Sequence, residues 1–335
     1  MPTYARADEV FVSGHGAVVR TDDGREFLDF LAGIAVNALG HNHAQLTAAM
    51  HDQVDKTIHL SNLFRHPHTE DVARRLCAHT GMAAAFFTNS GAESIECAMK
   101  IARKAMHIRG QHERTSFIAL EGAFHGRTLG ALSLTHHEAY RAPFGPLLKV
   151  DWVPPEDSQA LEATIRSQQP AALFIEPIQG EGGVRALSRE FLQTARAICT
   201  ETGTLLVHDE IQSGCGRTGT FLAAQHYDVT PDLVTLAKPI GAGLPMGVCL
   251  ASEAYRDALA KGEHGTTFGG GPLACRAAAV FLDEVDDGLL ERVTERGEQL
   301  RRGLSQLKDE LPIVTEVRGR GLMLGLRLDR PADEV

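Results

Sequence analysis

Apolar and polar positions along the chain follow two alternating patterns. Uninterrupted apolar runs of strand length predict strands that are buried on both faces. These runs lie at 116–120, 171–175, 205–207 and 248–251. Longer segments carry apolar residues at helical intervals, at 44–58, 94–109, 188–202 and 273–307. Strands that alternate with helices predict an α/β fold with a mainly parallel sheet flanked by helices.

Both ends of the chain have a different pattern. Short strands at 17–20 and 26–30 flank the turn 22–24, which indicates an antiparallel element, and 315–328 is also strand-like. We therefore predict a smaller α+β domain built from both ends around a large central domain. The expected segments are 1–45 and 263–335 for the small domain and 46–262 for the large one.

Two strand ends carry the candidate chemistry. One apolar run ends in Asp209, and a second ends in Lys238, which a glycine-rich segment follows. A partly desolvated lysine suits Schiff-base chemistry with an aldehyde cofactor, because only the neutral amine attacks a carbonyl. A carboxylate can hold the ring nitrogen of such a cofactor protonated. Each residue also has an ordinary interpretation, since an Asp-Glu pair after a strand is more often a helix cap or metal ligand and a lysine beside glycines is usually solvated.

Further segments carry side chains or N–H groups that could bind a phosphate, an aromatic ring or a carboxylate. The small residues at 90–92 precede a helix, whose free N–H groups suit a phosphate, although Ser90 alone is more typical of a helix cap. Phe124 can stack on an aromatic ring or fill the core. Arg127 can hold a carboxylate with a bidentate fork.

Two loops add acids and hydroxyls. Glu176 and Glu181 follow the predicted strand 171–175, and the ordinary interpretation is one structural acid and one functional acid. Thr266 and Thr267 lie in a turn-rich loop, where a threonine is by default a surface residue.

Composition narrows the class of protein. The 335 residues allow two domains, and the net charge of −10 argues against a nucleic-acid or anionic-membrane partner. The N-terminus has no signal-peptide core and no apolar run approaches bilayer length, so we expect a cytoplasmic protein. The six cysteines include no CxxC pair and predict reduced thiols. Two His-x-His spacings lack a matching ligand cluster, and we expect no metal site.

Several separated motifs together resemble the class III aminotransferases, within the fold-type I family of pyridoxal phosphate enzymes. Asp209 opens the motif DEIQ, and Lys238 follows at the spacing of that family's signature. The other matching motifs are NSGAE, FHGR, EPIQGEGG, SGCGRTG, HGTTFGG and RGRGLMLG, and the N-terminal segment is similar to that of the acetylornithine branch. The resemblance covers residues 1 to about 330.

The resemblance implies pyridoxal 5'-phosphate as cofactor and a role for each matching residue. The family's catalytic lysine, here Lys238, forms a Schiff base with the cofactor and then moves the substrate proton. Asp209 pairs with the ring nitrogen, and Gln212 with the ring hydroxyl. The other implied cofactor contacts are Ser90, Gly91, Ala92, Phe124 and the partner's Thr267. The implied substrate contacts are Arg127, Glu181 and Thr266.

The expected reaction moves an amino group from N-acetylornithine, or a similar ω-amino compound, to 2-oxoglutarate, as in arginine biosynthesis. The expected assembly is a homodimer with active sites shared across its interface. Transaminases of ornithine, succinylornithine or 4-aminobutyrate share the same motifs and stay open as candidates. The sequence is also compatible with an intramolecular aminomutase and with a chain that binds the cofactor without turnover.

Two features depart from the family pattern. Family members continue with another helix and strand that carry an arginine for the substrate carboxylate. The resemblance therefore implies a truncated chain, with weaker substrate binding and an uncovered face on the small domain. Gly271 stands where the family usually has asparagine.

Overall fold

The computed structural model describes residues 1–334 as alternating strands and helices between two antiparallel ends. The strands are β1 (Phe11–His15), β2 (Val18–Thr21), β3 (Glu26–Leu28), β4 (Ala84–Thr88), β5 (Phe117–Leu120), β6 (Val150–Val153), β7 (Ala172–Ile175), β8 (Ile178–Gln179), β9 (Arg185–Ala186), β10 (Leu205–Asp209), β11 (Leu233–Leu236), β12 (Gly247–Ala251), β13 (Val314–Arg320) and β14 (Met323–Leu328). The helices are α1 (Ala32–Ala35), α2 (Ala44–Lys56), α3 (Pro67–Thr80), α4 (Gly91–Ile108), α5 (Leu129–Ser133), α6 (Glu138–Arg141), α7 (Ser158–Gln168), α8 (Arg189–Thr202), α9 (Pro272–Glu284) and α10 (Leu290–Glu310).

Seven strands form the central sheet, in the order β4-β12-β11-β10-β7-β5-β6. The pairs β11/β10, β10/β7, β7/β5 and β5/β6 are parallel, whereas β12 runs antiparallel to both of its neighbours. The prediction of a mainly parallel sheet in an α/β fold is therefore confirmed. Because β10 lies in the middle of the sheet, the carboxyl group at its end is screened from bulk water on both sides.

Successive residues of β10 point to opposite faces of the sheet. Leu205 and Val207 pack in a core beneath α4, and Leu206 packs in a second core that includes side chains of α7 and α8. A third core joins side chains of α3 and α9 to the other end of the sheet. Helices thus cover both faces, as the uninterrupted apolar runs predict.

Local signals explain where the helices begin and end. Ser188 caps α8 by accepting the N–H of Phe191 at 3.1 Å, and Gly203 ends the helix in the left-handed region.

The predicted single helix over 273–307 is instead two helices, α9 and α10. A π-helical turn at Val285–Leu289 separates them, and Gly288 within it has φ 85°. Gly271 is the N-cap of α9 and offers no side-chain acceptor, whereas an asparagine there would supply one.

The N-terminal segment forms the predicted antiparallel element, and the segment predicted to be strand-like at 315–328 forms a hairpin. Strands β1, β2 and β3 make a three-stranded sheet, and β13 pairs with β14 as a hairpin. Leu300 on α10 is 39% exposed, and Leu326 on β14 is 37% exposed. The domain boundaries stay predictions. Within residues 1–334, no helix is both long and apolar enough to span a bilayer.

Candidate active site

One cavity of about 400 Å³ brings together seven of the predicted site residues. It lies where β10 and the segment after β11 deliver Asp209 and Lys238, and we call it the Lys238 cavity. The predicted residues that line it are Ser90, Gly91, Ala92, Phe124, Asp209, Gln212 and Lys238. The carboxylate and the amine that the sequence singled out therefore face the same space.

The N-terminus of α4 forms one wall of the Lys238 cavity. Ser90 is the N-cap, and its Oγ accepts the N–H of Glu93 at 3.2 Å. The helix-cap interpretation is thus correct, but it leaves the Ser90 hydroxyl proton free to donate. The first N–H groups of a helix have no intrahelical acceptor and carry the positive end of the dipole. This wall therefore suits a dianionic phosphate.

Asp209 is buried, with 4% exposure, and its carboxylate is fixed by three donors. One oxygen accepts the N–H of Ile211 at 3.0 Å and the hydroxyl of Thr235 at 3.1 Å. The other oxygen lies 2.7 Å from Nδ1 of His125. An ionised carboxylate only accepts, so His125 Nδ1 carries the shared proton. The carboxylate is thereby held in one orientation toward the cavity.

His125 is fully enclosed next to Asp209. Burial alone would lower the pKa of His125, but the hydrogen bond with Asp209 and that carboxylate's charge outweigh it, so the pKa is raised. Its Nε2 has no hydrogen-bond partner within the described chain. The charged form of His125, which donates from both ring nitrogens, therefore persists to a higher pH than in an isolated imidazole.

Lys238 sits on a strained backbone in the lining of the same cavity. Its φ is +47°, in the left-handed region that residues with a side chain rarely adopt, and such strain is concentrated at functional sites. Burial lowers the pKa of the Lys238 amine, although the charges of Asp209 and Glu176 act in the opposite direction. A lowered pKa increases the fraction of neutral amine, which is the nucleophilic form.

Two buried acids have structural contacts, and of these Glu176 lines the Lys238 cavity whereas Glu210 does not. Glu176 accepts the N–H of Phe124 at 3.0 Å, and burial raises its pKa to about 7. Glu210 accepts the N–H groups of Ala223 and Ala224 and the hydroxyl of Ser213, and burial raises its pKa to about 7 as well. Of the Asp-Glu pair at the end of β10, only Asp209 lines the cavity.

Gln212 reaches the cavity because residue 180 has no side chain. A Cβ atom at Gly180 would lie 1.7 Å from Oε1 of Gln212, so any larger residue would displace the amide. Gly180 belongs to the EPIQGEGG motif and Gln212 to DEIQ. The two motifs, which are distant in sequence, therefore lie against each other at this contact.

Four predicted residues lie outside the lining of the Lys238 cavity. Arg127 and Glu181 are both exposed. Thr266 and Thr267 line a different cavity of about 510 Å³, here called the Thr267 cavity. Asn89 connects the two, since it lines the first cavity and its Nδ2 donates to Thr266 Oγ1 at 3.3 Å. The predicted roles of all four residues remain predictions.

His125 and Thr235 are functional candidates that the sequence analysis missed. His125 lies between Phe124 and Arg127 in FHGR, and Thr235 is a polar residue inside the apolar strand β11. A polar residue in a buried strand signals a hydrogen-bond partner. That this hydrogen-bond partner is Asp209 follows only from the parallel pairing of β10 with β11, which sets Thr235 opposite Asp209.

The cavity fits a phosphorylated pyridine aldehyde. It offers a helix N-terminus for the phosphate, the aromatic face of Phe124 for the ring, a fixed carboxylate for a ring N–H and an amine for the aldehyde. Within residues 1–334, no three His, Cys, Asp or Glu side chains cluster as a metal site would.

Comparison with known proteins agrees with this chemistry. The family model "Aminotransferase class-III" matches residues 3–335. The acetylornithine aminotransferase of Agrobacterium fabrum is 46% identical over 99% of this chain and 84% of its own length. An ornithine aminotransferase structure from Toxoplasma gondii, with PLP partially occupying its active site, has a TM-score of 0.92 and 35% identity and covers 98% of this chain and 78% of its own. The N-acetylornithine aminotransferase structure from Stenotrophomonas maltophilia has a TM-score of 0.84 and 36% identity, over 98% and 82% of the two chains.

Proposed function

The chain belongs to the class III aminotransferase family, and from that premise we propose that it transfers the amino group of N-acetylornithine to 2-oxoglutarate. As a member of this family it is a transaminase of fold type I, its cofactor is pyridoxal phosphate, and its substrates are an amino donor and a keto acid. The choice of donor rests on relatives that are 46% identical to this chain and are named acetylornithine aminotransferases. One observation carries the assignment of the site: Lys238 and Asp209 line the same cavity as the N-terminus of α4.

The predicted residues that line the Lys238 cavity have roles that their chemistry supports. Bound pyridoxal phosphate supplies an aldehyde for an amine and an electron-withdrawing ring that labilises a bond at the substrate Cα. Lys238 is the catalytic residue, because its lowered pKa favours the neutral amine that attacks the aldehyde and accepts the Cα proton. Asp209 holds the ring N–H, and Ser90 with the first N–H groups of α4 holds the phosphate.

The remaining cofactor and substrate contacts are assigned from a separate observation for each residue. Phe124 and Gln212 line the cavity and are assigned to the ring face and the ring hydroxyl. Arg127 is assigned to a substrate carboxylate, since it is an exposed guanidinium next to Phe124. The charge of Glu181 acts to raise the pKa of Lys238, which is consistent with a position near the reacting groups.

We further propose a homodimer in which Thr266 and Thr267 serve the neighbouring subunit's site. The loop that carries them packs on the segment before α3, where Asn62 donates to the carbonyl groups of Thr266 and Gly269 at 3.1 and 3.0 Å. Phe268 is 65% exposed, and Leu63 and Phe64 in the neighbouring segment are 89% and 68% exposed. Exposed apolar side chains that cluster in this way are typical of a protein interface.

A cytoplasmic location is also part of the proposal. The cysteines are all free within the described residues, and most of them are buried. Free thiols are typical of a reducing compartment. The acidic net charge gives no reason to expect an anionic membrane as partner.

The direct test mixes the purified protein with pyridoxal phosphate and then with N-acetylornithine. We expect the visible absorption of the bound cofactor to appear and then to bleach, and glutamate to form only when 2-oxoglutarate is added. Ornithine, succinylornithine and 4-aminobutyrate, assayed in parallel, should give lower kcat/KM. Faster turnover of one of these donors would reassign the substrate, turnover without a keto acid would favour the aminomutase, and absorption that never bleaches would favour a chain without activity.

A further inference from the structure

The guanidinium of Arg127 is held by aromatic rings rather than by acceptors. Its central carbon lies 3.5 Å from the ring centre of Tyr140 and 5.6 Å from that of Phe124. Among residues 1–334, no carboxylate or carbonyl oxygen forms a hydrogen bond or ion pair with its side chain. All five N–H donors of Arg127 are therefore available to a ligand.

Tyr140 is sandwiched between Arg127 and His137. The His137 ring stacks on Tyr140 with ring centres 4.3 Å apart and planes inclined by 21°. Two groups this close to one ring centre cannot share a face of the ring, so the guanidinium and the imidazole occupy opposite faces. Tyr140 therefore has little freedom to rotate away from Arg127.

The segment that carries Tyr140 is itself fixed to the central sheet. His136 packs edge-on against Trp152 of β6 with ring centres 5.0 Å apart. The guanidinium of Arg141 lies 5.0 Å from the same indole and pairs with Glu138 at 2.7 Å. Through Trp152, the segment that carries Tyr140 is thus packed against the edge strand of the central sheet.

We propose that Tyr140 is a positioning residue that orients Arg127 to receive a substrate carboxylate. This inference rests on the proposed function, in which Arg127 binds that carboxylate. A guanidinium that hydrogen bonds to protein acceptors would have to break those bonds to bind a ligand. A guanidinium stacked on an aromatic face is held in place by the ring's quadrupole, while its N–H edge stays open for a bidentate carboxylate. The stack therefore favours binding by preorganisation.

The test compares Tyr140→Phe with Tyr140→Leu in the holoenzyme. Phenylalanine keeps the ring face, whereas leucine removes it at similar bulk. The probe is glutarate, a dicarboxylate with the same chain length as 2-oxoglutarate that has no keto group and cannot react. We expect Y140L to raise the Kd of glutarate by calorimetry, and the KM for the keto acid, roughly 3- to 30-fold, as the strength of a cation–π contact indicates. In Y140L, kcat and the affinity for pyridoxal phosphate should stay within about two-fold of wild type.

A second arginine–tyrosine pair provides a matched control. Arg109 lies 5.6 Å from the ring centre of Tyr255 and also donates to its hydroxyl at 2.6 Å; it follows the C-terminal end of the 18-residue helix α4, about 28 Å from Ser90 by helix geometry. Tyr255→Leu makes the same chemical change there and should leave glutarate affinity unchanged. Arg127→Leu should weaken glutarate binding at least as much as Y140L.

Each result supports or overturns the inference. An unchanged Kd in Y140L, or a Y140F variant as weak as Y140L, would overturn it. Wild-type enzyme that binds no glutarate, or R127L that binds it normally, would overturn it together with the role of Arg127. If wild type binds glutarate but does not convert N-acetylornithine, the proposed donor fails while the comparison of Y140F with Y140L still decides the role of Tyr140.

Discussion

His125 Nδ1 and a carboxylate oxygen of Asp209 lie 2.7 Å apart, and neither residue is accessible to solvent beyond a few per cent. The histidine comes from the loop after β5 and the aspartate from the end of β10. Because β7 separates these strands in the sheet, the pair joins two elements across the floor of the Lys238 cavity. The orientation of Asp209 thus depends on a residue that is distant in sequence.

Replacement of His125 by leucine should weaken cofactor binding. The change leaves one oxygen of Asp209 without its donor, and hydrogen bonds to charged groups contribute about 1.5–3 kcal/mol. We therefore expect the Kd of pyridoxal phosphate, measured by equilibrium dialysis, to rise roughly 10- to 100-fold. His208→Leu is the matched control, since His208 is also a fully buried histidine but has no hydrogen-bond partner among the described residues. Equal losses in the two variants would contradict a specific role for His125.

His208 makes the folded protein sensitive to acid. Burial lowers the pKa of His208 to about 3, whereas a histidine in the unfolded chain titrates near 6.5. Below about pH 6.5 the unfolded chain binds a proton that the native site excludes, so the free energy of unfolding falls as the pH falls toward 3. His208→Leu removes this effect, and its stability relative to wild type should be about 2 kcal/mol more favourable at pH 5 than at pH 7.5.

Urea denaturation of both proteins at the two pH values measures that difference. Glu176 and Glu210, whose pKa values burial raises to about 7, have the opposite pH dependence: their contribution to the free energy of unfolding falls as the pH rises. Both proteins share these acids, so their contribution cancels in the comparison. Parallel stability curves for wild type and H208L would show that the native state accommodates a charged His208.

Gly180→Ala should act through Gln212. A Cβ atom at residue 180 would overlap Oε1 of Gln212, and the backbone of Gly180 is not in the left-handed region, so the side chain of Gln212 must move. Loss of one hydrogen bond of about 1 kcal/mol predicts a roughly five-fold rise in the Kd of pyridoxal phosphate. Gln212→Ala should have the same effect, and the double variant should be no worse than either single variant.

Gly303→Ala is the control for the glycine substitution. Nothing lies within 4 Å of a Cβ atom at Gly303, which sits in α10. Alanine there should stabilise the protein by about 0.5–1 kcal/mol and leave cofactor affinity unchanged. Additive losses in the G180A/Q212A double variant would show that Gly180 acts independently of Gln212.

Site residues could be predicted from the sequence where a chemically suitable side chain stands at the end of a predicted strand. Asp209 and Lys238 each terminate an apolar run, and strands buried in one sheet deliver such residues to the same edge. The N-cap at Ser90 and the end of α8 at Gly203 follow from local signals that act within one helical turn. These features were predictable because each depends on residues close in sequence.

Features that depend on distant pairs could not be predicted in the same way. Nothing local in FHGR indicates that His125 meets Asp209, because the contact requires the strand order of the sheet. The break at Gly288 was missed, since the apolar spacing continues through a π-helical turn into α10. The stack of Arg127 on Tyr140 depends on how α6 docks on β6, and no periodic pattern encodes that docking.

Lys238 is the residue that we propose binds the cofactor covalently. The most direct measurement incubates the protein with pyridoxal phosphate, reduces it with borohydride and locates the label by mass spectrometry of the peptides. We predict the phosphopyridoxyl group on Lys238 in wild type and in the control variant Lys261→Ala, which replaces an exposed lysine outside the Lys238 cavity, and no label at the site in Lys238→Ala. A label on another lysine of wild type, or a labelled and active K238A variant, would contradict the account.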